Sequence, residues 1–281
     1  MKSSTQLKAL IRNLSKDKVI NAEIILRNFM LERLLERISL SKYKNQFILK
    51  GGMLIAAIVG IDARSTMDMD ATIKGFTLDE ETLEEVFNEI LSVPIDDGVK
   101  MRLSKLESIR EDSEYPGIRV SIGAIFDKTR QTMKVDITAG DKITPRAIEY
   151  KFQLLLEDRT ISVLAYNLET VFAEKLETIL SRGTTTTRMR DYYDVYILMG
   201  LHESELDEDL LTEAFIETSK HRGSFDNIKN NSLEYIQTIQ SSEILLNLWE
   251  RYRSKNEYAS DIKWVDALNS MKKAFNKINL I

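Results

Sequence analysis

Asp68 and Asp70 stand two residues apart in a stretch where Met67, Met69, Ala71 and Ile73 alternate with polar positions. That period is the period of a half-buried β-strand, so the two carboxylates share one face. Bare carboxylates this close repel each other unless a cation sits between them. A third, Asp136, lies in the alternation Met133, Val135, Ile137 of a later predicted strand. If the two strands pair, three carboxylates can hold two divalent ions about 3.5–4 Å apart. Mg²⁺ prefers oxygen ligands and fills its other positions with water and phosphate oxygens, and Mn²⁺ is the expected substitute. The chemistry this predicts is metal-assisted phosphoryl transfer. One ion activates a hydroxyl nucleophile, and the other neutralises charge on a triphosphate and its leaving pyrophosphate.

Phosphate needs a binding element, and Gly51-Gly52 offers one. Glycine lets backbone approach a phosphate closely, and the helix predicted to follow presents unpaired N–H groups and a positive dipole end. Met53 contributes only its amide. Arg64, just ahead of the acidic strand, has the geometry to fork a phosphate. Taken singly, an Asp-x-Asp strand reads as a solvated face and a Gly-Gly pair as a turn. The order Gly-Gly, helix, Arg64, Asp68-x-Asp70, then Asp136 is the informative feature.

The elements that must position these groups are legible in outline. Residues 17–41 carry apolar side chains at helical spacing, from Val19 to Ile38. Phe47-Ile48-Leu49 is a short buried strand ending at Lys50-Gly51-Gly52, and Met53 to Val59 is a buried helix closed by Gly60. A helix over about 79–91 follows Met67–Ile73 and stops near Pro94. Arg119 to Phe126 and Thr132 to Thr138 form a hairpin through 127–131. Beyond Tyr166 the pattern is helical, over 168–182, 189–201, 206–218 and the end of the chain. Strands first and helices second predict an α+β class, a short mixed sheet with helices followed by a helical C-terminal region. The boundary falls between 145 and 168, giving units of 1–155 and 156–281.

Composition narrows the chemistry further. With Cys 0 there are no disulfides and no thiolate metal sites, and His 2 leaves no histidine-rich zinc site. The stretch Met1 to Ser15 lacks the apolar core of a signal peptide, and no run approaches the roughly 20 apolar residues of a membrane span. A cytoplasmic protein with no membrane partner is expected. A net charge of −5 argues against a basic coat over the whole chain while leaving room for a local basic groove.

Phe47-Ile-Leu-Lys-Gly-Gly-Met-Leu54 followed by Arg64-Ser-Thr-Met-Asp-Met-Asp70 resembles the opening motif of the AbiEii/AbiGii toxin family. Lys134-Val-Asp136-Ile is similar to the family's later acidic strand, Glu174-Lys175-Leu176 to its lysine helix, and Arg190-Asp191-Tyr-Tyr-Asp194 to its Lys/Arg-Asp-x-x-Asp helix. The motifs span 47–196 in the expected order. Met53 departs from the pattern, which more often has Ser or Thr there, so a hydroxyl contact to phosphate is missing. After residue 200 nothing matches.

The resemblance implies a polymerase-β-like nucleotidyltransferase core and a toxin of a type IV toxin–antitoxin or abortive-infection system against phage. It implies catalytic roles for Asp68, Asp70, Asp136, Lys175 and Asp194, with the first three binding metal. Nucleotide binding falls to Gly51, Gly52, Met53, Arg64, Thr66 and Asp191. The donor it implies is an NTP, GTP or a pyrimidine NTP, and the acceptor is the 3′ end of tRNA. The antitoxin resembles a DNA-binding repressor and need not contact the toxin. A nucleotidyltransferase of protein hydroxyls and a non-catalytic nucleotide-binding module remain the alternatives.

The second cluster has plainer readings beside the functional one. Lys175 lies on a helix whose other side is Val171, Phe172, Leu176 and Ile179, so a surface lysine competes with a triphosphate ligand. Asp191 and Asp194 share a helix face. They either orient Lys175, serve the helix start near Thr187 and Arg188, or take a proton from the nucleophile. Arg182, Arg188 and Arg190 around the loop Thr184 to Thr187, and the basic residues from Arg251 to Lys277, are weaker hints of RNA contact. Tyr192, Tyr193 and Tyr196 read as packing.

Overall fold

A computed structural model describes residues 3–109 and 117–280 and divides the chain into two compact units. The first comprises 1–140 and 148–165, and the second 141–147 and 166–281. The boundary expected from sequence, after 155, falls inside a hairpin that the first unit keeps whole. No helix among the described residues is long and apolar enough to cross a membrane.

The first unit opens with α1 (Ser4–Lys18) and α2 (Ala22–Leu40). The helix expected over 17–41 corresponds to α2 and begins too early, in the tail of α1, which apolar spacing does not mark. Val19 adopts a left-handed cap with φ 54°, and the Asn21 side chain accepts from the Glu23 amide to start the next helix. Then come β1 (Phe47–Lys50), α3 (Gly51–Val59), β2 (Met69–Ile73) and α4 (Glu80–Leu91), the last capped by Asp79 accepting from the Thr82 amide at 2.7 Å. Strands β3 (Val99–Ile109), β4 (Gly117–Phe126), β5 (Thr129–Ala139), β6 (Ile148–Gln153) and β7 (Thr160–Ala165) complete it.

All seven strands form one mixed sheet in the order β3-β4-β5-β2-β1-β7-β6. β2 pairs in parallel with β5 and antiparallel with β1, while β1 pairs in parallel with β7. The β4–β5 turn is tighter than the sequence suggests, with Asp127 and Lys128 alone between the strands. Asp127 takes φ 52°, which aspartate tolerates better than most residues. One face of β4 and β5, with Val120, Ile122, Met133, Val135 and Ile137, is buried core, and α2 packs over β5.

Periodicity does not predict β3, β6 or β7. β3 and β6 are the two sheet edges, and their side chains are mostly solvent-facing, so apolar alternation is weak there. A buried fork ties the β3 edge to α2. Arg37 donates to both oxygens of Asp97 at 2.7 and 3.0 Å and to the Val99 carbonyl at 2.8 Å.

The second unit is helical: α5 (Leu168–Arg182), α6 (Met189–His202), α7 (Glu208–His221), α8 (Phe225–Ser241), α9 (Glu243–Lys255) and α10 (Trp264–Asn276). Asn167 caps α5, its side chain accepting from the Thr170 amide at 2.9 Å.

At the other end of the sheet, α2 meets the β6–β7 connection through charge. Arg159 forks Glu36, and Arg33 pairs with Glu157 at 2.7 Å. Glu32 accepts from the Leu155 amide at 3.0 and 3.2 Å. Burial pushes the Glu32 carboxyl up to about 8, against the downward pull of Arg33 and of that amide. The folded chain therefore keeps a proton that the unfolded chain releases near pH 4.5. Glu32 lowers stability progressively as pH rises from about 5 to about 8, because the folded state binds more protons throughout that window. Glu32→Gln, read by denaturant midpoint across this range, is expected to flatten the pH dependence and to exceed the parent in stability at the alkaline end.

Candidate active site

The parallel pairing of β2 with β5 sets Asp70 and Asp136 as register partners. The same level continues outward on both sides, to Lys50 on β1 and to Arg119 and Glu107 on β4 and β3. Five adjacent strands thus carry Glu107, Arg119, Asp136, Asp70 and Lys50 in one charged row. Asp68 sits one residue before β2 and is near enough to Arg119 to add to the field on its guanidinium.

Arg119 carries no signal in the sequence beyond its place in a strand, yet it contacts Asp136 directly. Its Nε and Nη2 donate to the two carboxylate oxygens, each at 2.7 Å. The hydrogen bonds to Asp136 hold the guanidinium even more firmly charged than usual. The hairpin register carries the signal that would have found it, since residues 119 and 136 are opposite one another about the tight turn.

The glycine turn lies against the other acid. Gly51 has φ +62°, and a Cβ there would come within 2.2 Å of Asp70 Oδ2. The Gly52 amide donates to that same oxygen at 3.3 Å. On its far side a Gly52 Cβ would meet Thr66 Oγ1 at 2.8 Å and the Arg64 guanidinium at 3.1 Å. Both glycines are required by close approach, and Gly51 by its backbone angle as well.

Arg64 is buried, with Nη1 donating to the Ser65 carbonyl at 2.6 Å. Thr66 Oγ1 donates to the Asp68 carbonyl at 3.1 Å, and the buried Asn28 amide donates to the Thr66 carbonyl at 2.8 Å. These bonds fasten the loop that delivers Asp68 to the end of β2. The Met53 side chain belongs to the core, which leaves only its backbone on the turn. Among the described residues no three carboxylates or imidazoles are gathered closely enough to hold an ion as they stand.

In the helical unit, Lys175 on α5 bridges two acids of α6. Its Nζ lies 2.5 Å from Asp191 and 2.9 Å from Asp194, and Asp194 is fully buried. Arg188 Nε at the start of α6 is 3.1 Å from the other Asp191 oxygen. Asp191 thus orients Lys175 and also serves the helix start. Tyr192 packs edge-on against Trp264, and Tyr193 packs against Tyr258. Two of the C-terminal lysines are neutralised, with Lys273 paired to Glu203 and Lys277 to Glu203 and Glu208.

A parallel strand pair with aligned carboxylates, entered through a glycine turn into a helix, fits the nucleotidyltransferase core that the sequence motifs resemble. The MenT4 nucleotidyltransferase toxin from Mycobacterium tuberculosis H37Rv shares the fold, with 13% identity, coverage of 96% of this chain and 97% of that chain, and a TM-score of 0.56. JHP933 from Helicobacter pylori (17% identity, 90% and 94% covered) and an antigenic nucleotidyltransferase-like protein from Paracoccidioides brasiliensis (15%, 73% and 91%) align with TM-scores of 0.45 and 0.38. No curated protein matches the sequence. The nucleotidyl transferase AbiEii toxin family, of type IV toxin–antitoxin systems, matches residues 33–270. The chain belongs to that family and is a nucleotidyltransferase toxin.

Two substitutions probe these contacts. Gly51→Ala, which puts a Cβ on Asp70 and forces alanine to a left-handed angle, is expected to cost about 2 kcal/mol or more, measured by denaturant titration. Lys175→Ala takes the lysine from buried Asp194 and leaves Asp191 with Arg188 alone, and it is expected to cost about 3 kcal/mol or more. Adding Asp191→Asn to it should recover part of that loss. Activity lost in Lys175→Ala is informative only beside this measurement.

Proposed function

We propose that this toxin transfers a nucleoside monophosphate from an NTP to a hydroxyl acceptor, the 3′ end of a tRNA. Its partner is an antitoxin resembling a DNA-binding repressor. The observation that carries the reading is the alignment of Asp70 with Asp136 on parallel strands, with the Gly52 amide against Asp70.

The residues suit a divalent cation. The donor set of Asp68, Asp70 and Asp136 is entirely carboxylate oxygen, the ligand type Mg²⁺ takes, and Arg119 already places one positive group on Asp136. Those three residues would hold it. Bound there, Mg²⁺ supplies positive charge against the triphosphate and the leaving pyrophosphate. The amides of Gly51, Gly52 and Met53 at the start of α3 take phosphate oxygens, helped by the helix dipole. Arg64 and Thr66 act by holding the loop that carries Asp68. Asp136 accepts the proton of the attacking hydroxyl. For Lys175 the family resemblance implies a triphosphate ligand; within the helical unit Asp191 and Asp194 keep its amine in place. GTP or a pyrimidine NTP is the expected donor.

Purified protein incubated with tRNA, Mg²⁺ and each labelled NTP in turn should move label to the RNA, and Asp68→Ala should abolish the transfer. Label on a protein band would assign a protein hydroxyl as acceptor. No transfer from any NTP, with nucleotide binding intact, would remove the RNA acceptor. Growth arrest that survives replacement of all three carboxylates would make the chain a non-catalytic module.

A further inference from the structure

The face of β3, β4 and β5 that carries Asp136 continues away from it as a basic surface. Register partners define three successive rows beyond Glu107–Arg119–Asp136: Lys105–Ser121–Lys134, Arg102–Gly123–Thr132 and Lys100–Ile125–Arg130. Lys100, Arg102, Lys105, Arg130 and Lys134 are all exposed. Among the described residues, no carboxylate lies within ion-pair distance of Lys100, Arg102, Arg130 or Lys134. Lys105 pairs with Glu107 at 2.6 Å.

A bulge makes this arrangement. The β3 register shifts between Leu103 and Lys105, leaving Ser104 without a cross-strand partner. Were β3 regular there, with Ser104 paired to Ser121, Lys105 would fall on the opposite face from Lys100 and Arg102. Gly123 has a matching part, since the Arg102 stem lies over it, 3.7 Å from where a Cβ would be.

Lysines on an exposed edge often do no more than prevent edge-to-edge pairing. That explanation covers Lys100 and Lys105 on β3. It does not reach Arg130 and Lys134, which lie on β5, two strands in from the edge. A protein partner would want an aromatic or apolar centre, whereas the middle strand here offers Ser121 and Gly123, with Ile125 alone at the far end. On β3 the cations Lys100, Arg102 and Lys105 occupy successive rows about 7 Å apart, which matches the separation of successive phosphates in an extended nucleic-acid strand, and on β5 Arg130 and Lys134 flank Thr132 at alternate rows.

We propose that this β3–β5 face is the docking surface for the acceptor RNA, which it grips by its phosphates without reading sequence. The lane runs for about 20 Å along β5 and ends at the Asp136–Asp70 row, where a terminal hydroxyl has to arrive. Placing the acceptor end there rests on the function proposed above; the electrostatic grip does not.

The test is binding of a short labelled single-stranded RNA to the full chain by fluorescence anisotropy, without NTP, over a series of salt concentrations. Arg102→Glu/Lys134→Glu and Lys100→Glu/Arg130→Glu should each weaken binding about tenfold or more. Each should also make the slope of log affinity against log salt shallower, by about 0.7 for every phosphate the variant no longer holds. Scrambling the RNA sequence should change little, and melting temperatures identify any variant that has not folded. Unchanged affinity and slope in both folded variants would overturn the proposal, as would absence of RNA binding by the parent at low salt. Competition by polyglutamate as effective as by RNA would reassign the face to an acidic protein. Asp68→Ala separates the two readings, because it should lose transfer and keep RNA binding. If the parent transfers nothing while binding still depends on these cations, the catalytic reading fails and this one stands.

Discussion

Placing two aspartates side by side on neighbouring parallel strands costs electrostatic energy, and the rest of the sheet is arranged around that cost. Asp70 and Asp136 share a level because β5 pairs with β2 in parallel. Like charges directly opposite one another destabilise a strand pair unless something intervenes. Partners are present on both acids: Arg119 takes both oxygens of Asp136, and the Gly52 amide at the start of α3 takes one of Asp70. Each half of the repulsive pair is satisfied from its own outer side.

The glycine turn follows from the same constraint. For the α3 amides to reach Asp70, the backbone at Gly51 has to pass within contact of the carboxylate, at an angle that other residues adopt with strain. Gly52 meets the Arg64 and Thr66 side chains on its other side. Arg64 and Thr66 are thus tied to the turn as well as to the loop before β2, and Asn28 of α2 anchors that loop from below. Two segments, β2 at Asp70 and the loop at Arg64 and Thr66, converge on a pair of residues with no side chains, and bulk added there would push on both.

How much of this is legible in the sequence depends on where the information lies. Local periodicity locates β1, α3, β2, α4 and α5 within a few residues, since each buries one face and punctuates its ends with Gly, Asp or Asn. It starts α2 too early, in the tail of α1, because the break is a left-handed valine and an asparagine cap, neither of which interrupts the apolar spacing of 17–41, and it leaves α1 itself unmarked. It passes over β3, whose polar outer face and bulge at Ser104 blur the period of two. Arg119 is invisible for a different reason. Its importance comes from the cross-strand register, a long-range quantity that no window of neighbouring residues encodes. The Lys175, Asp191 and Asp194 cluster is visible as a motif, but its contacts join two helices and need the fold.

Net charge illustrates the same separation between sum and arrangement. A total of −5 describes an acidic protein, and two of the basic residues that stand out near the C-terminus, Lys273 and Lys277, are spent on Glu203 and Glu208. The cations that stay clear of carboxylates are dispersed through 100–134, where no run of like charge draws attention. They come together because antiparallel pairing folds that segment back on itself twice, and because one bulge corrects the phase of β3. A field at a surface depends on which residues the register stacks together and falls off over about 10 Å at moderate salt. The distant acidic residues that set the total therefore do little to cancel it at the face.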